Sequence, residues 1–255
     1  MTPDQPDLSH PPFVLVHGSR HGGWCWRRVA VLLRSAGHDV YTPTLTGLGE
    51  RSHLLTPEIG LATHVHDLVA TFLFEDIQDA ILVAHSYAGM VCSGAMEQIA
   101  DRVRYFVLLD AHMPREGESV FDLNGPDRTA ATIALAQERG AGWYIPPADA
   151  ARYGVTDPAD VAWVNSKMTA QPLKTYSDPV GPTDRAWDHP GMFVQCEPSI
   201  VEPAMIERAR SRSRTDPRFQ FRRLDAAHNA MVTNPADLVE LLLETAKVFD
   251  PNEVR

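Results

Sequence analysis

Short apolar runs alternate with helix-length amphipathic segments along most of this chain, and that rhythm limits what it can fold into. "FVLVHG" (Phe13 to Gly18) reads as a fully buried strand. "WCWRRVAVLLRSAG" (Trp24 to Gly37) has helical periodicity and a glycine stop. "HDVYTPTL" (His38 to Leu45) is a second strand and "LATHVHDLVATFLFE" (Leu61 to Glu75) a helix. "AILVAHS" (Ala80 to Ser86) is a third strand, followed by a helix near Tyr87 to Ala100, and "YFVLLDA" (Tyr105 to Ala111) is a fourth. The rhythm resumes later with "GMFVQCE" (Gly191 to Glu197), a helix around Val201 to Ser213, a strand "FQFRRLDA" (Phe219 to Ala226) and a helix "PADLVELLLETAKVF" (Pro235 to Phe249). Pro235 suits a first helical position after Asn234 as cap. Near-continuous apolar strands separated by helices imply an α/β fold, with a mostly parallel central sheet covered on both faces.

The interruption runs from about 112 to 190. It is rich in Pro, Gly, Asp and Ala, with aromatic residues at Phe121, Trp143, Tyr144, Trp163, Tyr176 and Trp187. It is too long for a plain loop and reads as an inserted, partly helical cap. The chain is expected to be a single domain over 1–255, with a frayed tail over 1–12 where prolines and aspartates cluster.

Composition excludes several partners. Hydrophobic residues make up 44%, enough for a sizeable core. A formal net charge of -10 argues against nucleic acid or an anionic membrane surface. The basic run "ERARSRSR" (Glu207 to Arg214) reads as a solvated helix end. No apolar run approaches the roughly 20 residues of a membrane span, and no signal-peptide pattern is visible. Cys25, Cys92 and Cys196 lack C-x-x-C spacing, which points to buried, reduced thiols and a cytoplasmic location. His64 and His66 are two apart on a helix and do not share a face, and no metal or cofactor is implied.

In "AILVAHSYAGMV", Ser86 ends a strand and opens a helix, the setting in which a G-x-S-x-G turn exposes a nucleophilic serine. Both glycines are replaced, by Ala84 and Ala88, so the motif becomes small-x-Ser-x-small, with Gly89 adding room. The competing reading is a helix N-cap serine. A serine hydroxyl needs a base to take its proton. His228 in "DAAHNAMVTNP" follows the last strand and is the histidine in the right topological place. The neighbouring His85 is expected to point elsewhere. An oxyanion hole needs backbone N–H groups. Tyr87 follows the serine at a helix start, and Ser19 lies in the glycine-rich loop "HGSRHGGW" after the first strand.

With these pieces together, the chain resembles the α/β-hydrolase superfamily, in the branch of plant methylesterases, hydroxynitrile lyases and related bacterial esterases. The likeness rests on "FVLVHGSRHGGWCWRRVAVLLRSAGHDVYTPTLTGLGERS", "ILVAHSYAGMV", "VLLDAHMP" and "AHNAMVTNP". It implies Ser86 as nucleophile, His228 as base, and Ser19 and Tyr87 as oxyanion donors. The lyases carry threonine where this chain has Gly18 and lysine where it has Asn229, so the resemblance favours hydrolysis over cyanohydrin cleavage.

The resemblance also exposes a departure. Aligning "CEPSIVEP" with the family pattern puts Ser199 where relatives carry the acid that orients the histidine. Glu197, Glu202 and Asp110 are the substitutes. Asp110 is preferred, because a carboxylate closing an apolar strand needs a partner and parallel strands end at the ligand crevice. Glu197 is the main alternative.

The expected reaction is hydrolysis of a small ester, or a carbamate or amide-like bond, through an acyl-enzyme on Ser86. The cap's aromatic residues suggest an apolar or aromatic group, with Gly18, Trp143 and Trp163 as substrate contacts. The expected partner is therefore a small ester-like molecule, and a homodimer stays open. Three rivals share the scaffold: hydroxynitrile-lyase chemistry, cofactor-free oxygenase chemistry with a dispensable serine, and a non-catalytic small-molecule binder.

Overall fold

The computed structural model of the chain describes residues 10–248. In chain order the elements begin with β1 (Phe13–Val16), α1 (Arg27–Ser35), β2 (Val40–Tyr41), α2 (Leu61–Phe74), β3 (Ala80–His85), α3 (Ala88–Ile99) and β4 (Val103–Leu109). An excursion follows: α4 (Val120–Arg139), β5 (Tyr144–Ile145), α5 (Pro158–Asn165), β6 (Gln171–Pro172), α6 (Lys174–Ser177) and α7 (Asp184–Trp187). The described chain closes with β7 (Gly191–Cys196), α8 (Pro203–Thr215), β8 (Phe219–Leu224), α9 (Ala230–Thr233) and α10 (Pro235–Val248).

Six strands form one sheet in the order β2-β1-β3-β4-β7-β8, and every neighbouring pair is parallel. Successive strand residues face opposite sides, and the core divides accordingly. Val14, Val16, Leu82, Ala84, Phe106, Leu108 and Phe193 pack with residues of α2, α3 and α8. Phe13, Leu15, Ile81, Val83, Val107, Leu109 and Val194 pack with residues of α1 and α10. Both faces are covered, which is why the strand sequences are apolar without a break. The strand order reverses between β1 and β3. Ligand crevices of open parallel sheets form at such a switch point, outside the carboxyl ends of the strands.

Several expectations are adjusted. Residues 1–9 of the expected tail lie outside the described residues. Pro11 and Pro12 are tied into the fold, since their carbonyls accept hydrogen bonds from His38 Nδ1 and the Ile81 N–H at 2.9 and 2.8 Å. The expected strand over 38–45 pairs only at Val40–Tyr41. Pro43 has no N–H to continue the ladder, and Thr44 Oγ1 instead accepts the Gly23 N–H at 2.8 Å. The basic run on α8 is only partly solvated. Arg208 pairs with Glu118 at 2.6 Å. Arg212 is buried, lies over the Phe219 ring and donates to the His189 carbonyl.

The excursion is built from its own local signals. Ser119 and Asp122 form a reciprocal capping box at the start of α4. Gly125 (φ 75°) breaks that helix and Pro126 restarts it. The short antiparallel pair β5 and β6 joins Tyr144 to Pro172 and Ile145 to Gln171. Tyr176, Val180 and Ala186 then bury on the α2–α3 side of the sheet, and Tyr153, Val155 and Val164 on the α1–α10 side. Among the described residues no helix is long and apolar enough to cross a membrane. Cys25, Cys92 and Cys196 are buried free thiols, and burial pushes each thiol up, away from reactive thiolate.

Candidate active site

Ser86 stands between β3 and α3 in the left-handed region, at φ 56°. A residue with a side chain is rarely held there. The turn is pinned on both sides: the Ser86 N–H donates to Leu109 O at 3.2 Å, and its carbonyl accepts the N–H groups of Gly89 and His112, both at 3.0 Å. Ala84 and Ala88 fit, fully buried. The position that admits no side chain is Gly89, where a Cβ would lie 1.9 Å from the His112 carbonyl oxygen. The turn's strict glycine therefore sits one residue beyond the motif.

Asp110 follows the last residue of β4, is fully buried and also has positive φ (41°). Its Oδ2 lies 2.6 Å from His228 Nδ1. Its Oδ1 accepts the Ser199 hydroxyl at 2.6 Å and the Cys196 N–H at 3.4 Å. An ionised carboxylate only accepts hydrogen bonds, so Nδ1 donates to it, and in the neutral tautomer with that arrangement Nε2 carries the lone pair. Nε2 is buried without a hydrogen-bond partner among the described residues. Ser86 Oγ makes no hydrogen bond among the described residues, and both groups line one pocket. Glu197 is directed away, half exposed and paired with Arg223 at 3.3 Å. Glu202 pairs with Arg128 at 3.3 Å.

His85 does not point away from the site as expected. The alternation that buries Ile81 and Val83 on the α1–α10 side carries His85 there too, where His228 arrives from beyond β8. His85 Nε2 donates to the His228 carbonyl at 2.9 Å, and the two rings sit 4.5 Å apart. Burial lowers its pKa well below the usual histidine value, so it is a neutral prop. Tyr153 stacks on the His228 ring as well, with centroids 5.9 Å apart.

The β1 loop brings Ser19 and Arg20 alongside. The backbone N–H groups of Ser19 and Tyr87 have no partner among the described residues. His21 Nδ1 donates to Ser19 O at 2.7 Å, and Asn229 Nδ2 donates to His21 Nε2 at 3.1 Å. Burial lowers the His21 pKa to about 3, so this strut is neutral. Asn229 is thus occupied as a buried hydrogen-bonding group, and places no cation beside His228. The Tyr87 hydroxyl donates to His64 Nδ1 at 3.0 Å, while His64 Nε2 donates to Thr46 O at 2.9 Å.

The pocket is more polar than its sequence implied. Its walls come from Ser19, Arg20, His85, His112, Arg128, Tyr176 and similar side chains, with Ile200 its one aliphatic residue. Neither Trp143 nor Trp163 lines it. Trp143 packs edge-on against Tyr144. Trp163 packs against Trp24 and beneath Arg28, toward α1. Gly18 abuts the site rather than lining it: a Cβ there would lie 2.9 Å from both Ser86 Cβ and His85 Nδ1. Arg20, Arg128 and Arg152 went unnoticed in the sequence, although Arg20 stands in the loop already singled out.

Comparison with known proteins places the chain in a family. The Alpha/beta hydrolase family matches residues 13–241. A carbendazim hydrolyzing esterase from Nocardioides sp. (strain SG-4G) is 42% identical over 177 residues, covering 66% of this chain and 72% of that protein. Methylesterase 10 of Arabidopsis thaliana is 28% identical, covering 96% of this chain and 94% of its own. Among solved structures, an extracellular alpha/beta-hydrolase from a Paenibacillus species superposes with a TM-score of 0.76 at 21% identity, over 92% of this chain and 98% of that one. The chain belongs to the alpha/beta hydrolase family, in the branch of methylesterases and related bacterial esterases, and is a carboxylic ester hydrolase.

Proposed function

We propose that this hydrolase cleaves a small carboxylic ester through an acyl-enzyme on Ser86. The observation that carries the reading is the Asp110–His228 contact of 2.6 Å, which leaves an unpartnered Nε2 in the pocket that Ser86 lines. Ser86 Oγ attacks the ester carbonyl and passes its proton to His228 Nε2. Asp110 stabilises the imidazolium that forms. The N–H groups of Ser19 and Tyr87 receive the developing oxyanion. Collapse expels the alcohol with the proton from His228. A water then repeats the attack, gives its proton to His228, and the acid leaves as Ser86 recovers its proton. The open Ser86–His228 geometry fits a site that tightens only with substrate bound. Carbamates and amide-like carbonyls follow the same steps.

The neutral Asn229 and the lack of room at Gly18 favour hydrolysis over cyanohydrin cleavage. A panel of p-nitrophenyl and methyl esters, run beside Ser86→Ala and a fluorophosphonate probe, tests the reading. Turnover and labelling are expected to disappear together in the variant. Full turnover by Ser86→Ala would favour cofactor-free oxygenase chemistry instead. Absence of labelling in the folded native protein would favour a binder.

A further inference from the structure

The cavity beside Ser86 is small, about 40 Å³. A water molecule needs roughly 10–15 Å³ by such a measure, so only about three or four would fit. That is room for the reacting carbonyl and a small alkoxy group, and not for the rest of an ester. A second chamber of about 630 Å³ adjoins it, and Arg20, Arg128 and Arg152 line both.

These cations are not balanced in the usual way. Arg20 is buried, yet among the described residues its guanidinium meets neutral groups, the Pro146 carbonyl and the Tyr153 hydroxyl, both at 2.9 Å, with the Tyr176 hydroxyl beside it. Buried charges ordinarily have an opposite charge beside them. Arg20 is also held at φ 64°, with its N–H bound to Gln171 Oε1 at 2.9 Å, so the side chain's direction is fixed at some conformational cost. Arg152 is exposed, and its side chain makes no ion pair or hydrogen bond among the described residues. Arg128 has one acidic partner, Glu202 at 3.3 Å. Among the described residues no carboxylate lines the inner cavity. The outer chamber adds Arg139, Glu138 and Asp149, and Asp149 is already engaged as the cap of Ala151 and partner of Asn165. A chain with net charge -10 therefore opens its site onto a positive wall.

We propose that this wall is a carboxylate subsite: Arg20, Arg128 and Arg152 hold an anionic arm on the acyl side of the substrate, making the preferred substrates half-esters of dicarboxylic acids. The proposal rests on ester hydrolysis at Ser86 and adds the substrate class. Planar guanidinium groups match a carboxylate's two oxygens, and the outer chamber has room for the acyl chain.

The test compares kcat/KM for monomethyl glutarate and dimethyl glutarate, which differ in the free carboxylate. The native enzyme is expected to prefer the half-ester by about tenfold or more. Arg152→Gln, at an exposed position, is expected to lower that ratio about fivefold, and added salt to lower it as well. A native ratio at or below one, or a ratio indifferent to Arg152→Gln, overturns the proposal. If neither ester is turned over, the hydrolytic reading fails for small esters and the subsite is judged alone, by calorimetric titration of glutarate into the folded protein. Binding that Arg152→Gln weakens supports the subsite, and no binding overturns it.

Discussion

The Ser199 hydroxyl donates to Asp110 Oδ1 at 2.6 Å while Asp110 Oδ2 meets His228 Nδ1 at the same distance. The serine that the family resemblance aligns with the acid's position thus holds the carboxylate that arrives from β4. Its Oγ is itself fixed, accepting the Val201 N–H at 3.1 Å. Ser199→Ala should leave Asp110 with one fewer donor and a looser grip on His228. A loss of about tenfold in kcat with little change in KM is expected, since a hydrogen bond to a charged group contributes about 1.5–3 kcal/mol. Steady-state kinetics across pH would check it. An unchanged kcat would mean that Ser199 does not position the acid.

Asp110→Asn should be far more damaging. The amide can hold His228 in the wrong tautomer and cannot stabilise imidazolium, and the equivalent change in serine hydrolases costs about 10⁴ in kcat. Glu197→Gln is the control, because Glu197 faces Arg223 at the surface. Adding Ser199→Asp to Asp110→Asn returns a carboxylate beside the histidine from β7's side and should recover part of the lost turnover. Equal losses in the Asp110 and Glu197 variants would reject this assignment.

How far the site was legible depended on where each residue's partner lies. Ser86 and His228 could be read because each follows a strand in a local pattern. Asp110 could be read because a lone carboxylate on the apolar run "YFVLLDA" needs a partner from elsewhere. The sheet was legible for a similar reason: burial on both faces leaves unbroken apolar strands. What failed was the orientation of particular side chains, which tertiary packing sets. His85 was misjudged because its orientation matters only once the β8 loop lies against it. Trp143 and Trp163 marked an aromatic excursion, but the kink at Gly125 and the β5–β6 pair decide which side chains reach the pocket, and they bring Arg128, Arg152 and Tyr176 there instead.

Gly89 offers a test in which propensity and packing have opposite signs. Glycine to alanine inside a helix ordinarily stabilises by about 1 kcal/mol. Here the new Cβ would lie 1.9 Å from a backbone oxygen that cannot swing aside. Gly89→Ala should therefore destabilise, by about 1–3 kcal/mol or more as overpacking does, and displace His112 and the Ser86 turn. Urea denaturation monitored by circular dichroism would measure it, with Ala88→Gly as a mild comparison. A more stable Gly89→Ala protein would contradict the close contact.

Buried histidines should make the fold sensitive to mild acid. Burial lowers the pKa of His17 and His64 to about 4 and of His21 to about 3, from an ordinary value of 6.5. His17 stays unprotonated because its Nε2 accepts the Leu45 N–H, and His64 because its Nδ1 accepts from Tyr87. Below pH 6.5 the unfolded chain takes up protons that the folded chain refuses. Stability then falls with falling pH, by about 1.4 kcal/mol per pH unit for each such histidine. The loss begins near pH 6.5 and ends near pH 4 for His17 and His64, and near pH 3 for His21. Urea midpoints measured from pH 8 down to pH 5 should be level above neutrality and drop steeply below pH 6.5. Because His64 and His21 also brace Tyr87 and Ser19, acid should release both proposed oxyanion donors as it unfolds the chain. A midpoint unchanged between pH 7 and 5 would show that these imidazoles are not held neutral by burial.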